Sequence, residues 1–302
     1  MAKNNRINIA FCFDENMTRQ ACVTIASLLD YKEKDTHFNI YCVCTEGALR
    51  IQKYLYKIIK KRDKFSTLIM KKNVYNYDGG YEIRGITVST YFRLNLHVLF
   101  PDVDKIIYSD VDILFQGDLM DVWKKDLEDN YIAGVKADVN IKDVWCRHLK
   151  DEYWKELTDW FGKYINAGFI IMNLKKIRED KMDLMWNGMI QKKYFYQDQD
   201  ILNLTCKPHI LFLPMEYNRF MFYSKEELEE LRRNSVFTRE EIEKAIEKPV
   251  VIHYAGEKPW NKYSVLGAAA WWNYVMNREE LYYIFRADIL KYKVYRKLVV
   301  KR

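Results

Sequence analysis

Residues 7–45, INIAFCFDENMTRQACVTIASLLDYKEKDTHFNIYCVCT, decide the fold class. Ile7 to Phe13 is an apolar run of strand length without clean alternation, the mark of a strand covered on both faces. From residue 17 to 31 the apolar positions Ala21, Ile25, Leu28 and Leu29 fall at helical spacing. Residues 38–45 return to an apolar strand, which completes a βαβ unit and predicts a mainly parallel sheet flanked by helices, an α/β fold. The alternation continues outward with a helix near 48–62, a strand near 66–70, a helix near 88–99 and a strand at 105–109. Further strands are expected at about 131–136, 165–173, 210–213 and 249–254. Thr238 with Glu241 three positions later is a capping box and predicts a surface helix over 238–247. Residues 137–163 carry Trp145, Trp154, Trp160 and Phe161 among charges with no clear period, and are expected to wall a cleft. No repeat or Pro/Gly linker interrupts the chain, so residues 1–265 read as one domain and 266–302 as a helical tail.

Composition narrows the function. Of 302 residues, 49% are hydrophobic and 30% charged, which is globular and not disordered. The 11 glycines contain no G-x-G-x-x-G, and the Walker-like spacing from Gly80 to Thr87 has Ile86 where a phosphate-binding lysine must stand. Neither a dinucleotide fold nor a P-loop is therefore expected. No run approaches the roughly 18 apolar residues of a membrane span, and the N-terminus has no signal-peptide pattern, so a cytoplasmic location is expected. Cys12, Cys22, Cys42, Cys44, Cys146 and Cys206 form no C-x-x-C pair and read as reduced, mostly core thiols. The sequons at Asn16 and Asn203 then carry no meaning. The formal charge of +7 is concentrated: residues 282–302 hold seven Lys/Arg against Asp288, a net +6, leaving +1 for the rest. The basic run from Lys53 to Lys72 follows a helical period with Leu55, Ile58 and Ile59 inward, and reads as a solvated helix face.

Five stretches carry groups suited to chemistry. In KIIYSDVDILF, residues 105–115, an apolar strand ends in Asp110 and Asp112, which alternation puts on one side. Two carboxylates at the carboxyl end of a parallel strand suit Mg²⁺ or Mn²⁺ bridging phosphates. HYAGEKPW, residues 253–260, follows an apolar strand and offers His253, a close-approach Gly256 and the cation Lys258. If His253 joins the two aspartates, mixed N/O ligation favours Mn²⁺ over Mg²⁺. In YQDQDILN, residues 196–203, Asp198 either caps a helix or binds hydroxyls, and Gln199 and Asp200 are not both expected to face a cleft. Asn166-Ala167-Gly168, in YINAGFIIMNLKK, marks either close ligand approach or a bulge. Asp14, Glu15 and Asn16 close the first strand at a ligand-binding edge.

With INIAFCFDEN, TYFRLNL, YSDVDILF, NAGFIIMNLKK with YQDQDILN, and HYAGEKPW in family order from residue 7 to about 262, the chain resembles glycosyltransferase family 8. That family comprises retaining transferases that include bacterial lipooligosaccharide galactosyl- and glucosyltransferases. The resemblance implies a nucleotide-sugar-binding sheet flanked by helices, the type A glycosyltransferase fold, with residues 1–265 as its catalytic domain. It also implies a Mn²⁺ cofactor held by Asp110, Asp112 and His253, with Mg²⁺ as the alternative. Asp14 and Asn16 would contact the uracil and ribose of a UDP-hexose donor, Arg93 would contact the donor, and Gly256 and Lys258 would contact its diphosphate. Asn166, Asp198 and Gln199 would surround the donor sugar. The loop after His253 is one residue shorter than the family form. Gln199, an amide, is a poor nucleophile, which favours same-face attack over a covalent route through Asp198.

The implied acceptor is a glycan, lipid-linked or part of a surface polysaccharide, and the basic-aromatic tail suits an anionic membrane surface at the inner face. No nucleic-acid partner is expected, because basic residues interleave with aromatics only in the tail. The rival readings are a metal-dependent nucleotidyltransferase, disfavoured because residues 98–109 hold no glycine, and a catalytically silent sugar-nucleotide-binding module.

Overall fold

Strand β1, Arg6–Phe13, buries both faces, and its alternation assigns each side chain to one of two layers. Ile7, Ile9, Phe11 and Phe13 point into one apolar cluster, and Ala10 and Cys12 into the other. The computed structural model describes residues 5–77, 79–80, 82, 86–137, 162–220, 225–234 and 236–299. The expected cleft wall therefore lies, for residues 138–161 with Cys146, outside the described residues.

Among the described residues the remaining strands are β2 (His37–Cys44), β3 (Thr67–Lys72), β4 (Lys105–Ser109), β5 (Ile113–Phe115), β6 (Ile132–Lys136), β7 (Ile165–Asn173), β8 (Ile210–Leu213), β9 (Arg219–Phe220) and β10 (Val251–His253). Seven form one sheet in the order β3-β2-β1-β4-β7-β6-β8. Only β7 runs against its neighbours; β1 pairs parallel to both β2 and β4, in register Phe11↔Cys42 and Phe11↔Ser109. The chain leaves β1 in one direction to β2 and returns on its other side as β4, so the carboxyl ends of β1 and β4 flank a switch point where α/β sheets place ligands. The expected terminal strand of this pattern stands apart: β10 lies between β5 and β9 in a second, three-stranded sheet.

One layer holds helices Thr18–Asp30 and Gln52–Arg62 together with the C-terminal helices Ala268–Met276 and Glu279–Val299. Helix Thr18–Asp30 is buried continuously from Gln20 to Leu29, not only on the stripe Ala21, Ile25, Leu28 and Leu29. The C-terminal helices explain this, because Trp271, Trp272, Phe285, Ile289 and Tyr292 join its cluster and Arg19 pairs with Asp288 at 2.7 Å. The other layer holds helices Met182–Ile190 and Gln197–Cys206 and the segment 88–95. That segment, expected as part of an α-helix over 88–99, is a 3₁₀ helix, Val88–Asn95, followed by one α turn, Leu96–Leu99. The capping box is present at Thr238, with both reciprocal bonds to Glu241. Cys12, Cys22, Cys42, Cys44 and Cys206 are buried and unpaired.

Candidate active site

The strand expected at 105–109 is present, but the two aspartates beyond it do not continue its alternation. β4 ends at Ser109 and the chain turns through Asp110-Val111-Asp112 before β5 begins in the second sheet. The two carboxylates converge because the chain changes sheets between them, not because they alternate along one strand. His253, the last residue of β10, pairs with Ile113 of β5, which carries its ring back over the turn.

His253 Nε2 lies 3.3 Å from Asp112 Oδ1 and 3.8 Å from Asp110 Oδ2. One ligand atom from each of the three residues fits within 4.8 Å of the others, close enough for a single cation. Asp112 is 9% exposed, yet its Oδ1 has no hydrogen-bond partner. A buried carboxylate oxygen left without a donor is costly, and a divalent cation resolves that cost. Oxygen, oxygen and imidazole nitrogen suit Mn²⁺ or Mg²⁺. The residues therefore fit a metal of this class.

Lys258 bonds to Asp112 Oδ2 and donates to the Tyr254 carbonyl at 2.6 Å, so the shortened loop still brings its ammonium group to the site. Burial opposes the charge on Asp112, but Lys258 and then His253 outweigh it and hold the carboxyl well below the usual range. Gly256 sits in the exposed turn between them.

Arg93 is 5% exposed, and its guanidinium is spent inside the protein. It donates to Asp110 Oδ1 at 3.0 Å and to the Ala167 carbonyl at 2.6 Å, pairs with Asp198 Oδ2 at 2.8 Å, and stacks 4.0 Å from the Tyr108 ring. Tyr108 also donates to Asp110 Oδ1 at 2.6 Å. Asp198 does not cap its helix; it faces Arg93 and accepts a bond from Thr90. Burial pushes its carboxyl up to about 6 despite Arg93.

Gln199 Oε1 accepts from Asn166 Nδ2 at 2.9 Å and from the Ala167 N–H at 3.0 Å. Asp200 is buried and turned to Tyr164 and the Tyr196 N–H, so Gln199 and Asp200 do point different ways, as expected. Asn166-Ala167-Gly168 is both a register irregularity opposite Gly134 and Lys136 and a close approach. A Cβ on Gly168 would stand 2.2 Å from His253 Cε1 and 2.9 Å from Asp110 Oδ2. Asp14, at the end of β1, accepts from the Asn16 N–H and from Thr87 Oγ1, each at 2.9 Å, while Asn16 is exposed beside it.

Sequence reading missed Thr90, Tyr108, Tyr164 and Asn218. The first three lie in or beside quoted motifs, and Tyr108, two residues before Asp110, carried a usable alternation signal. Asn218, which bonds His253 Nδ1 at 2.9 Å, sits in a stretch with no distinguishing pattern.

Among known proteins, the chain is 32% identical over 183 residues to a Haemophilus influenzae protein, covering 59% of this chain and only 50% of that one. It is 28% identical over 284 residues to a lipopolysaccharide 1,2-glucosyltransferase of Escherichia coli, covering 89% of this chain and 78% of that protein. The crystal structure of galactosyltransferase LgtC, in complex with donor and acceptor sugar analogues, superposes with a TM-score of 0.71 at 23% identity, over 93% of this chain and all of that one, and so shares the fold. The model of the family described as "Glycosyl transferase family 8" matches residues 8–264, which contain every residue of the site from Asp14 to Lys258, and the chain belongs to that family of glycosyltransferases.

Proposed function

We propose that this chain transfers a hexose, glucose or galactose, from a uridine diphosphate sugar to a glycan acceptor with retention at the anomeric carbon. Residues 1–265 act as the catalytic domain. The observation that carries the reading is the orphaned Asp112 Oδ1 facing His253 Nε2 and Asp110 Oδ2 at the carboxyl edge of β4. Asp110, Asp112 and His253 would hold Mn²⁺, with Mg²⁺ the alternative. Such a cation neutralises charge as it develops on the departing diphosphate.

Lys258 supplies a second positive charge next to Asp112, and Gly256 leaves the loop open for the diphosphate. Asp14 and Asn16, at the end of the adjacent strand, would take the uracil and ribose. Arg93, engaged with Asp110 and Asp198, would contact the donor while holding both carboxylates. Asn166, Asp198 and Gln199 would line the donor sugar.

Same-face attack is favoured on two grounds. Both lone pairs of Gln199 Oε1 are occupied by hydrogen bonds, and Asp198 has one oxygen bonded by Thr90 while the other, which makes no hydrogen bond, is held in an ion pair with Arg93 at 2.8 Å, a charge pairing that lowers its nucleophilicity.

The acceptor we infer is lipid-linked or a growing surface polysaccharide, met at the cytoplasmic face of a membrane. Among the described residues no helix is long and apolar enough to cross a membrane. Helix Glu279–Val299 instead has two apolar faces: Leu281, Phe285, Ile289 and Tyr292 are buried, whereas Tyr283, Leu290, Val294 and Leu298 are exposed. The exposed four recur at steps of seven, four and four residues and are flanked by Arg286, Lys291, Lys293 and Lys297, an arrangement suited to an anionic lipid surface.

The deciding experiment is a hydrolysis screen of uridine diphosphate sugars with Mn²⁺ and no acceptor. Slow release of one sugar identifies the donor. Absence of turnover with every uridine diphosphate sugar overturns the reading.

A further inference from the structure

The donor-sugar side of the site and the metal side are joined by one line of hydrogen bonds whose direction is fixed by the backbone. A backbone N–H can only donate. The Gly168 N–H lies 2.9 Å from Asn166, so the atom it meets is the carbonyl oxygen Oδ1. The Ala167 N–H fixes Gln199 Oε1 in the same way. With Asn166 Oδ1 so placed, the Asn218 atom 2.9 Å from it must be the donor, Nδ2. Asn218 Oδ1 is thereby turned to His253 Nδ1 at 2.9 Å. At the other end, Gln199 Nε2 donates to Tyr164 Oη at 3.0 Å, and Tyr164 donates to Asp200 Oδ1 at 2.5 Å. Every bond in the line from His253 to the Asp200 carboxylate runs in one direction.

We propose that Asn218 is a positioning residue that holds His253 in its Nδ1–H form and so turns the Nε2 lone pair toward Asp110 and Asp112. A carbonyl oxygen offers no proton, so Nδ1 must carry one. The neutral imidazole then has its only lone pair on Nε2. The opposite tautomer would aim an N–H at the position of the cation and abolish ligation. Asn218 is 1% exposed and acts entirely through His253. Partners of this kind on the far nitrogen of a ligating histidine are worth about 10–100-fold in metal affinity. Because Asn166 and Gln199 belong to the same line, the amides near the donor sugar and the metal-ligating imidazole are oriented together. The inference rests on reading Asp110, Asp112 and His253 as a divalent-cation site.

The test has two independent readouts. In the metal-free chain labelled with ¹⁵N-histidine, at a pH where the ring is neutral, long-range ¹H–¹⁵N correlations report the tautomer, and His253 is identified by the signal lost in His253→Gln. The expected form is Nδ1–H, and an Nε2–H ring in the wild-type chain would overturn the proposal. Paramagnetic resonance of free aqueous Mn²⁺ gives the dissociation constant. Asn218→Ala should raise it about 10–100-fold, and Asn218→Asp, which keeps an oxygen opposite Nδ1, should recover part of that loss. An unchanged constant in a folded Asn218→Ala protein also overturns it. Failure of the wild-type chain to bind Mn²⁺ would sink the metal reading instead, and the tautomer measured without metal would still decide the role of Asn218.

Discussion

Replacing Gly168 by alanine adds one methyl group in the middle of the site. Its Cβ would stand 2.2 Å from His253 Cε1, against the 3.4 Å at which ordinary van der Waals contact begins, a shortfall of about 1.2 Å. It would also crowd Asn166 Oδ1 and Asp110 Oδ2, each at 2.9 Å. The imidazole has little room to retreat: β10 is paired on both sides, His253 Nδ1 is bonded to Asn218, and the Phe220 ring lies 5.6 Å away. Gly168 is not at a positive φ, so the backbone accepts alanine and the collision is purely one of space. Misplacing a reacting group by about 1 Å costs on the order of 10²-fold in rate, or about 2.7 kcal/mol. Overpacking adds about 1–3 kcal/mol of lost stability. We therefore expect Gly168→Ala to lose about two orders of magnitude in kcat/KM for donor hydrolysis and to bind Mn²⁺ more weakly, while circular dichroism at 25 °C shows a folded chain. Gly188→Ala is the control. That glycine lies in helix Met182–Ile190 with nothing within 4 Å of the added Cβ, and should gain about 1 kcal/mol of stability without changing turnover. A Gly168→Ala protein with wild-type kcat/KM and wild-type Mn²⁺ affinity would refute the proposed assembly of His253, Asp110 and Asp112.

Asp112→Asn should abolish Mn²⁺ binding and transfer and leave the circular dichroism spectrum unchanged; full activity in excess chelator sinks the metal reading. Gln199→Ala should slow transfer without leaving sugar on the protein, and a glycosylated Asp198 peptide in mass spectrometry of that variant would reverse the preference for same-face attack. Glu280 joins the last helix to Lys61 and Arg62; burial opposes its charge, but a backbone hydrogen bond and these two cations outweigh it and hold the carboxyl at about 2, below its ordinary 4.5. A depressed folded value adds stability that is complete above about pH 4.5 and lost as pH falls toward 2, so Glu280→Gln should melt earlier at pH 7, and its deficit should narrow through that window; a deficit independent of pH contradicts this. Leu290→Asp with Val294→Asp, both on the exposed face, should reduce sedimentation with anionic vesicles at low salt, and equal binding by variant and wild type removes the membrane role. Truncation at Glu280 would be a poorer test, because it strips Phe285, Ile289 and Tyr292 from the core.

The sequence by itself determined the layered sheet, because burial on both faces of a strand and on one stripe of a helix leaves a local periodic trace. β1, β2 and β4 and the helices Thr18–Asp30 and Gln52–Arg62 stand where the apolar runs put them. It also singled out Asp110, Asp112, His253 and Lys258, because they follow apolar strands at the edge of the sheet where α/β proteins bind ligands. What only the tertiary structure decided depends on segments far apart in the chain. The turn at Asp110–Asp112 is a crossing between two sheets, which no window of β4 and β5 reveals. Val88–Asn95 is drawn into a tight 3₁₀ path where Arg93 reaches Asp110, Ala167 and Asp198, partners contributed by three other segments. Asn218 carries no local signal, since an asparagine after a tyrosine is ordinary until β9 and β10 set it against His253. Periodicity records the average environment of a face, whereas the direction of a hydrogen bond depends on which atoms of distant segments meet. The first is written in the chain, and the second exists only once the chain has packed.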